Sequence, residues 1–294
     1  MNVLYHLVRA DFLERVRRYN FLLVLALTGY LGFAINRGDF YLELDGYRGV
    51  LNSAWAGGMM AASATLVLSL FGFYLVKNTI ERDSTTGVGQ IIATTPTSRP
   101  LYLFGKWLSN SAVLLALIGL LALAAIVMQL LGGESASLNL WQLLAPFLLL
   151  ALPALVVMAA LALFFETISW LRGGLGNVIY FFVWMFALIF ALDSKVLWFD
   201  WSGILIVWQS MAADLVKVYP AYSGGFNFTG QALPVGGLQT FVWSGIQWTA
   251  DILLSRLVWL AGAIGLVFAG GLFFRRFDPS CEKAKWAKKS APTE

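Results

Sequence analysis

Sulfur and imidazole chemistry are nearly missing from this chain of 294 residues, which has one cysteine, Cys281, and one histidine, His6. A disulfide within the chain is therefore impossible, and the usual His/Cys metal sites cannot be assembled. A Ser-His hydrolase buried in a membrane is excluded as well, because His6 belongs to a charged N-terminal stretch. No G-x-x-x-x-G-K-[ST] phosphate loop exists: Gly173-Gly174-Leu175-Gly176 lacks the lysine and opens an apolar span. Charge is scarce too, at 12% against 59% hydrophobic residues. That leaves too little polar surface to coat a soluble globule of this length.

What is present reads as an all-α integral membrane protein. Charge-free windows cover 49–76, 107–133, 135–165 and 173–192, each at or above the roughly 20 residues a helix needs to cross about 30 Å of hydrocarbon. Two weaker windows, 21–35 (which borrows Asn20 and Asn36) and 257–274, bring the expectation to six transmembrane helices. An even count puts both termini on one side. Of the 20 basic residues only Arg37, Arg48, Lys195, Lys217 and Arg256 fall on the other side, so the positive-inside rule makes both termini cytoplasmic. The setting is a cell (inner) membrane. The net charge of +4 follows from this orientation and calls for membrane lipids, with no nucleic acid, as the partner of the basic tail.

Three units follow: an interfacial amphipathic helix at 1–19, a six-helix transmembrane domain at 20–275, and a basic cytosolic tail at 276–294. No cleavable signal is visible in the first 19 residues, which are charged throughout. There, Tyr5, Val8, Phe12, Val16 and Tyr19 recur at helical spacing with His6, Asp11, Glu14, Arg17 and Arg18 largely opposite. On the far side lies a segment, 193–251, rich in tryptophan. In it Ile204, Trp208, Met211, Leu215 and Val218 share one helical face, and Pro220, Gly224, Gly225 and Gly230 break the chain afterwards. Ala54, Gly58 and Ala62 in the second span and Ala261, Gly265 and Ala269 in the sixth repeat every fourth residue, a spacing that lets helix backbones approach within one subunit or across a dimer axis. Glu166 and Arg256 sit near span ends, where they can snorkel to an interface, so no ionisable group marks an ion path at mid-membrane.

The most informative stretch is polar. It runs Glu81-Arg82-Asp83-Ser84-Thr85-Thr86-Gly87, then Thr94-Thr95-Pro96-Thr97-Ser98-Arg99, then Gly105-Lys106, on the cytosolic side between spans two and three. With no Gly or Pro between Asn78 and Asp83, span two is expected to continue as helix toward Asp83. Gly87 and Gly89 break it. Val88, Ile91 and Ile92 then form an i, i+3, i+4 apolar face on a short helix, Pro96 ends that helix, and Ser98 with Pro100 opens span three. A short amphipathic helix between stiff arms suits a groove on another protein.

Residue order here resembles the cytosolic loop of ABC transporter type-2 permeases: an acidic residue, a glycine, an apolar helix, a Thr-Pro-x-Ser-Arg turn and a Gly-Lys. Gly87, Thr95, Pro96, Ser98, Arg99, Gly105 and Lys106 match, and both Glu81 and Asp83 stand as the acidic position. The resemblance implies the membrane-spanning subunit of an exporter, paired with itself or a sister permease as homodimer or heterodimer and with separate ABC ATP-binding subunits. The short helix would be the coupling helix, Val88, Ile91 and Ile92 its docking face, and Arg99, Glu81 and Asp83 its polar contacts. This chain would hold no cofactor and perform no catalysis, ATP and Mg being bound by the partner. An ATP-independent secondary transporter or channel, and a membrane scaffold, are the alternatives.

Overall fold

A computed structural model describes residues 2–274 apart from 133, 136 and 231–236. The basic tail, with Arg275, Arg276, Lys283, Lys285, Lys288, Lys289 and Cys281, lies outside the described residues, as does Gly133.

The chain is 74% helical, and five of its helical stretches are long and apolar enough to cross a membrane. The protein is a multi-pass membrane protein. In order come α1 (Asn2–Val16), α2 (Tyr19–Arg37), α3 (Ser53–Val76), α4 (Thr79–Thr85), α5 (Val88–Thr94), α6 (Arg99–Gly132), α7 (Leu140–Pro146), α8 (Leu152–Thr167), α9 (Gly174–Ser194), α10 (Ile204–Val218) and α11 (Ala250–Phe273). The spans are α3 with α4, α6, α7 through α8, α9 and α11. Helix α2 is the marginal one: it qualifies only together with α1, from which it turns by 72°. Phe147–Ala151 between α7 and α8 is a π turn. Pro153 has no N–H to offer Leu149, so the ladder slips there by one residue and resumes.

Helix α3 is the axis of the bundle, buried along most of its length and packed by α6, α7, α8 and α2, while α11 packs along α8 and α6. Hydrogen bonds fix its lower neighbours: Tyr180 Oη donates to the Ser69 carbonyl (2.5 Å) and Trp184 Nε1 to Ser69 Oγ (2.8 Å).

The end of the bundle where α3 begins carries four three-residue strands that no alternation in the sequence announces. β1 (Tyr41–Glu43) pairs antiparallel with β3 (Asn227–Thr229), and β2 (Tyr47–Gly49) pairs parallel with β4 (Gln239–Phe241). We call it the sheet end. Thus the long tryptophan-rich segment is pinned back onto the 37–49 connection. Its helix α10 buries Ile204, Met211 and Leu215 as expected, but Val218 is 56% exposed because the helix has run past the bundle.

The two small-residue stripes have different fates. Ala54, Gly58 and Ala62 are buried inside the subunit, and a Cβ on Gly58 would collide with the Trp243 ring. Ala261 and Gly265 face outward, with nothing near Gly265, and Ala269 is half-buried.

Candidate functional site

The opposite end of the bundle holds the polar stretch, and its geometry departs from the uninterrupted helix expected. Helix α3 stops at Val76. Lys77 is extended and Asn78 left-handed (φ 69°) before α4 starts at Thr79. The break follows from the Lys77 ammonium, which donates to the carbonyls of Leu171 (3.1 Å) and Gly173 (3.3 Å) and to Asn177 Oδ1 (2.6 Å), pulling the chain toward the turn between α8 and α9. Glu166, expected to snorkel, is instead fully buried (0% exposed) and accepts the Ile80 N–H at 2.6 Å. It satisfies a donor that α4 would leave orphaned in its first turn.

Asp83 is buried in the same way. Its carboxylate meets the Lys106 ammonium at 2.7 Å and accepts from the Tyr102 hydroxyl at 2.7 Å. It is therefore an internal strut and not the surface polar contact expected of it. Helix α1 supplies the other half. Asp11 and Arg15, one turn apart, are buried against α6; Asp11 bonds Arg15 (3.1 Å), Lys106 (2.9 Å) and Arg82, while Arg15 donates to Thr79 Oγ1 (2.5 Å). Burial raises the Asp11 pKa, but Arg15, Lys106 and Arg82 outweigh burial and hold this carboxyl well below the usual carboxylate range. Gly105 lets α1 come close, since a Cβ there would run into Leu7. Gly105-Lys106 is thus the seat of α1.

This network ties α1, α4 and α6 into one frame, with Glu166 of α8 at its edge. Removing one member of such a buried set strands the others, at a cost of about 3–5 kcal/mol. Helix α5 projects from the frame. Gly87, left-handed at φ 77°, reverses the chain after α4, as a residue without a Cβ allows. Val88 is 43% and Ile91 68% exposed, whereas Ile92 is half-buried and packs inward. The expected three-residue face is therefore divided: Val88 and Ile91 point away from the protein and Ile92 anchors the helix. Thr95 closes the helix by donating to the Ile92 carbonyl (2.8 Å), with its oxygen 3.0 Å from the Thr97 hydroxyl. Pro96 follows, Ser98 Oγ accepts the Leu101 N–H (3.4 Å), and Arg99 opens α6. Glu81 and Arg99 are exposed.

The structure thus separates the sequence-derived residues into two groups. Asp83, Gly105 and Lys106 build the frame; Glu81, Val88, Ile91 and Arg99 lie on the surface beside it. Asp11, Arg15, Arg82 and Tyr102 also belong to the frame, with Glu166 at its edge, a role the sequence reading assigned to none of them: it placed Asp11 on a solvated face and Glu166 at a membrane interface. One signal was available: Leu4, Leu7, Asp11 and Arg15 share a helical face, so two ionisable groups continue a leucine stripe.

Among the described residues no three His, Cys, Asp or Glu side chains gather as a metal site requires, and the network consists of ion pairs and a phenol. Comparison with protein-family profiles, with characterised proteins and with solved structures finds no match.

Proposed function

We propose that this chain is the membrane-spanning subunit of an ATP-driven ABC exporter, with α5 as its coupling helix. The observation that carries the reading is a two-turn helix presenting Val88 and Ile91 outward from a braced ionic frame. Isolated exposed apolar side chains are ordinary on a membrane protein, but these two lie in the polar stretch between α3 and α6, which also exposes Glu81 and Arg99. Such a face suits a groove on a protein better than hydrocarbon. In this reading α2 is the first of six spans, both termini are cytoplasmic, α10 and the strands are extracytoplasmic, and a second permease subunit completes the path.

The mechanism follows from stiffness. ATP binding closes the partner ATPases, and α5 feels the difference between their two states. Push on Ile91, and Ile92 and the α4 turn transmit it to Asp83, hence through Lys106 to α6 and Asp11 to α1. Lys77 carries the same displacement to the turn between α8 and α9. Because buried ion pairs resist separation, α1, α4 and α6 move as a body. Purification of the tagged protein from its native membrane tests this: an ATP-binding subunit is expected to accompany it, and Ile91→Glu to release that subunit. Recovery of the chain without any such partner sinks the proposal.

A further inference from the structure

Buried cations stand at both ends of the bundle. At the sheet end Arg256, expected to snorkel, is instead enclosed by the chain and donates to the Asp200 carbonyl. At the α4 end the cations meet around an opening. A cavity of about 100 Å³ lies where α1 turns into α2 and α3 gives way to α4, lined by Arg15, Arg18, Lys77, Asn78 and Arg82. Phe21 of α2, Leu75 of α3 and Val113 of α6 supply its apolar lining. No acidic side chain lines it. All five polar residues fall outside the charge-free windows of the sequence and all three apolar ones fall inside them, so the cavity straddles the boundary between polar and apolar surroundings.

The carboxylates that hold these cations leave donors over. Arg18 gives Nη2 to Glu14 (2.5 Å), while Arg82 gives Nη2 to Asp11 and turns Nε toward Glu14 (3.5 Å). A guanidinium carries five N–H donors, and no hydrogen bond among the described residues engages Nη1 of either arginine. Lys77 differs from both. Its ammonium is buried, bonded only to neutral oxygens, and in no ion pair among the described residues. Asn78, held left-handed, is exposed and its side chain caps nothing in α4. A buried cation with no counter-charge in contact is costly, and arginines with spare donors are the side chains best shaped for a phosphate.

We infer that this cavity binds the phosphate group of an anionic phospholipid, with Arg18, Arg82 and Asn78 donating to its oxygens and Arg15 and Lys77 adding positive charge. Basic pockets between spans at the membrane surface take lipid headgroups in this way. The apolar lining favours a lipid over a soluble phosphate, because Phe21, Leu75 and Val113 continue the cavity toward hydrocarbon. Size limits the guest to the headgroup, since pockets for drug-sized ligands span roughly 300–1,000 Å³; the acyl chains stay in the bilayer. A choline group would bring one more cation to a cavity lined by four, so phosphatidylglycerol is preferred to phosphatidylcholine. The inference needs no ATPase partner and stands apart from the proposed function.

Native mass spectrometry of the full chain in detergent tests it, with phosphatidylglycerol, phosphatidylcholine and inorganic phosphate as separate probes. Phosphatidylglycerol is expected to be retained in preference to the other two. Arg18→Gln should weaken that retention about ten-fold, the worth of one charge-assisted hydrogen bond. Asn78→Gly, which keeps the left-handed turn and removes the amide, should weaken it about five-fold. Both side chains are exposed, so folding is not at risk. Arg17→Gln removes a neighbouring exposed arginine that does not line the cavity, and retention should be unchanged. Equal weakening by Arg17→Gln and Arg18→Gln would reduce the effect to general surface charge and overturn the site. Equal retention of the two lipids overturns the headgroup preference, and binding of inorganic phosphate without retention of phosphatidylglycerol overturns the lipid as ligand.

Discussion

The two ends of the bundle solve the same problem with different chemistry. At the α4 end, Asp11, Arg15, Arg82, Asp83 and Lys106 are joined in a buried ionic network. At the sheet end, aromatic packing does the joining: Trp55 meets Phe241 and Trp243 edge-on at 5.9 and 6.4 Å, and Trp243 covers Gly58. Ion pairs there stay near the surface, as with Arg48 and Glu134 (2.6 Å) or Lys217 and Asp214 (2.7 Å). An ionic frame has few intermediate arrangements, because each member depends on several others. Aromatic packing yields by degrees, as each contact is small. A moving part belongs on the first kind of support and a cap on the second.

The sharpest way to break this comparison is to remove Asp11. Asp11→Ala leaves Arg15, Arg82 and Lys106 facing Asp83 in a buried space, and a loss of about 3–5 kcal/mol is expected from thermal unfolding in detergent. A loss under about 1 kcal/mol would mean the network is loose and solvated, and the contrast with the sheet end would collapse. Next in size, Gly58→Leu drives a side chain into Trp243 and should cost about 1–3 kcal/mol by overpacking. The two variants together should give additive losses, since they sit at opposite ends of α3 and share no partner.

How much of this was legible in sequence depends on the length scale of the signal. Five of the six expected spans were, because a charge-free window of twenty residues has no other physical home in this composition; α6 overruns its window by about two turns in starting at Arg99, while α3 stays inside its own. The break at Lys77 and Asn78 was not, because it is imposed by three acceptors about a hundred residues away. Four strands of three residues are too short for any alternation to register, and they exist only because two connections meet. At the candidate site, helical spacing located α5 but could not tell which of Val88, Ile91 and Ile92 faces inward. Asp83 and Lys106 read as surface charges because the default for a charged residue is solvent; only the arrival of α1 makes them internal. The stripes of small residues in α3 and α11 have the same spacing and opposite fates, which shows that the pattern reports a capacity for close packing and says nothing of the partner.

Acid sharpens the comparison with a smaller effect. Asp214 is partly buried, which raises its pKa, but Lys217 and hydrogen bonds from Ser244 prevail and hold it below its ordinary 3.8. A depressed carboxylate stabilises fully above the unfolded value and loses that contribution as pH falls through the folded one. Asp11 obeys the same sign from a deeper position. On titration from pH 7 downward the link from α10 to Ser244 should therefore release first, at a cost of less than about 1 kcal/mol because Lys217 is exposed. Proteolysis near residue 244 should increase while α1 stays protected. Earlier release of α1 would reverse the ranking of the two ends.

The smallest expected effect on stability is also the most informative about function. Ile91 is 68% exposed, so Ile91→Glu should change unfolding by no more than about 0.5 kcal/mol. Ile92→Glu, by contrast, places a charge against the inward-packed side of α5 and should destabilise the α4–α5 unit. If α5 is a coupling helix, Ile91→Glu uncouples a fully folded protein, and the partner's ATPase activity loses its response to this subunit while the Asp11 network stays intact. If α5 is merely a loop, neither the partner nor transport notices Ile91→Glu, and only Ile92→Glu has a phenotype. The pair of variants thus separates a surface that receives force from one that only holds the helix in place, because the two isoleucines are adjacent in the chain and differ solely in the direction they face.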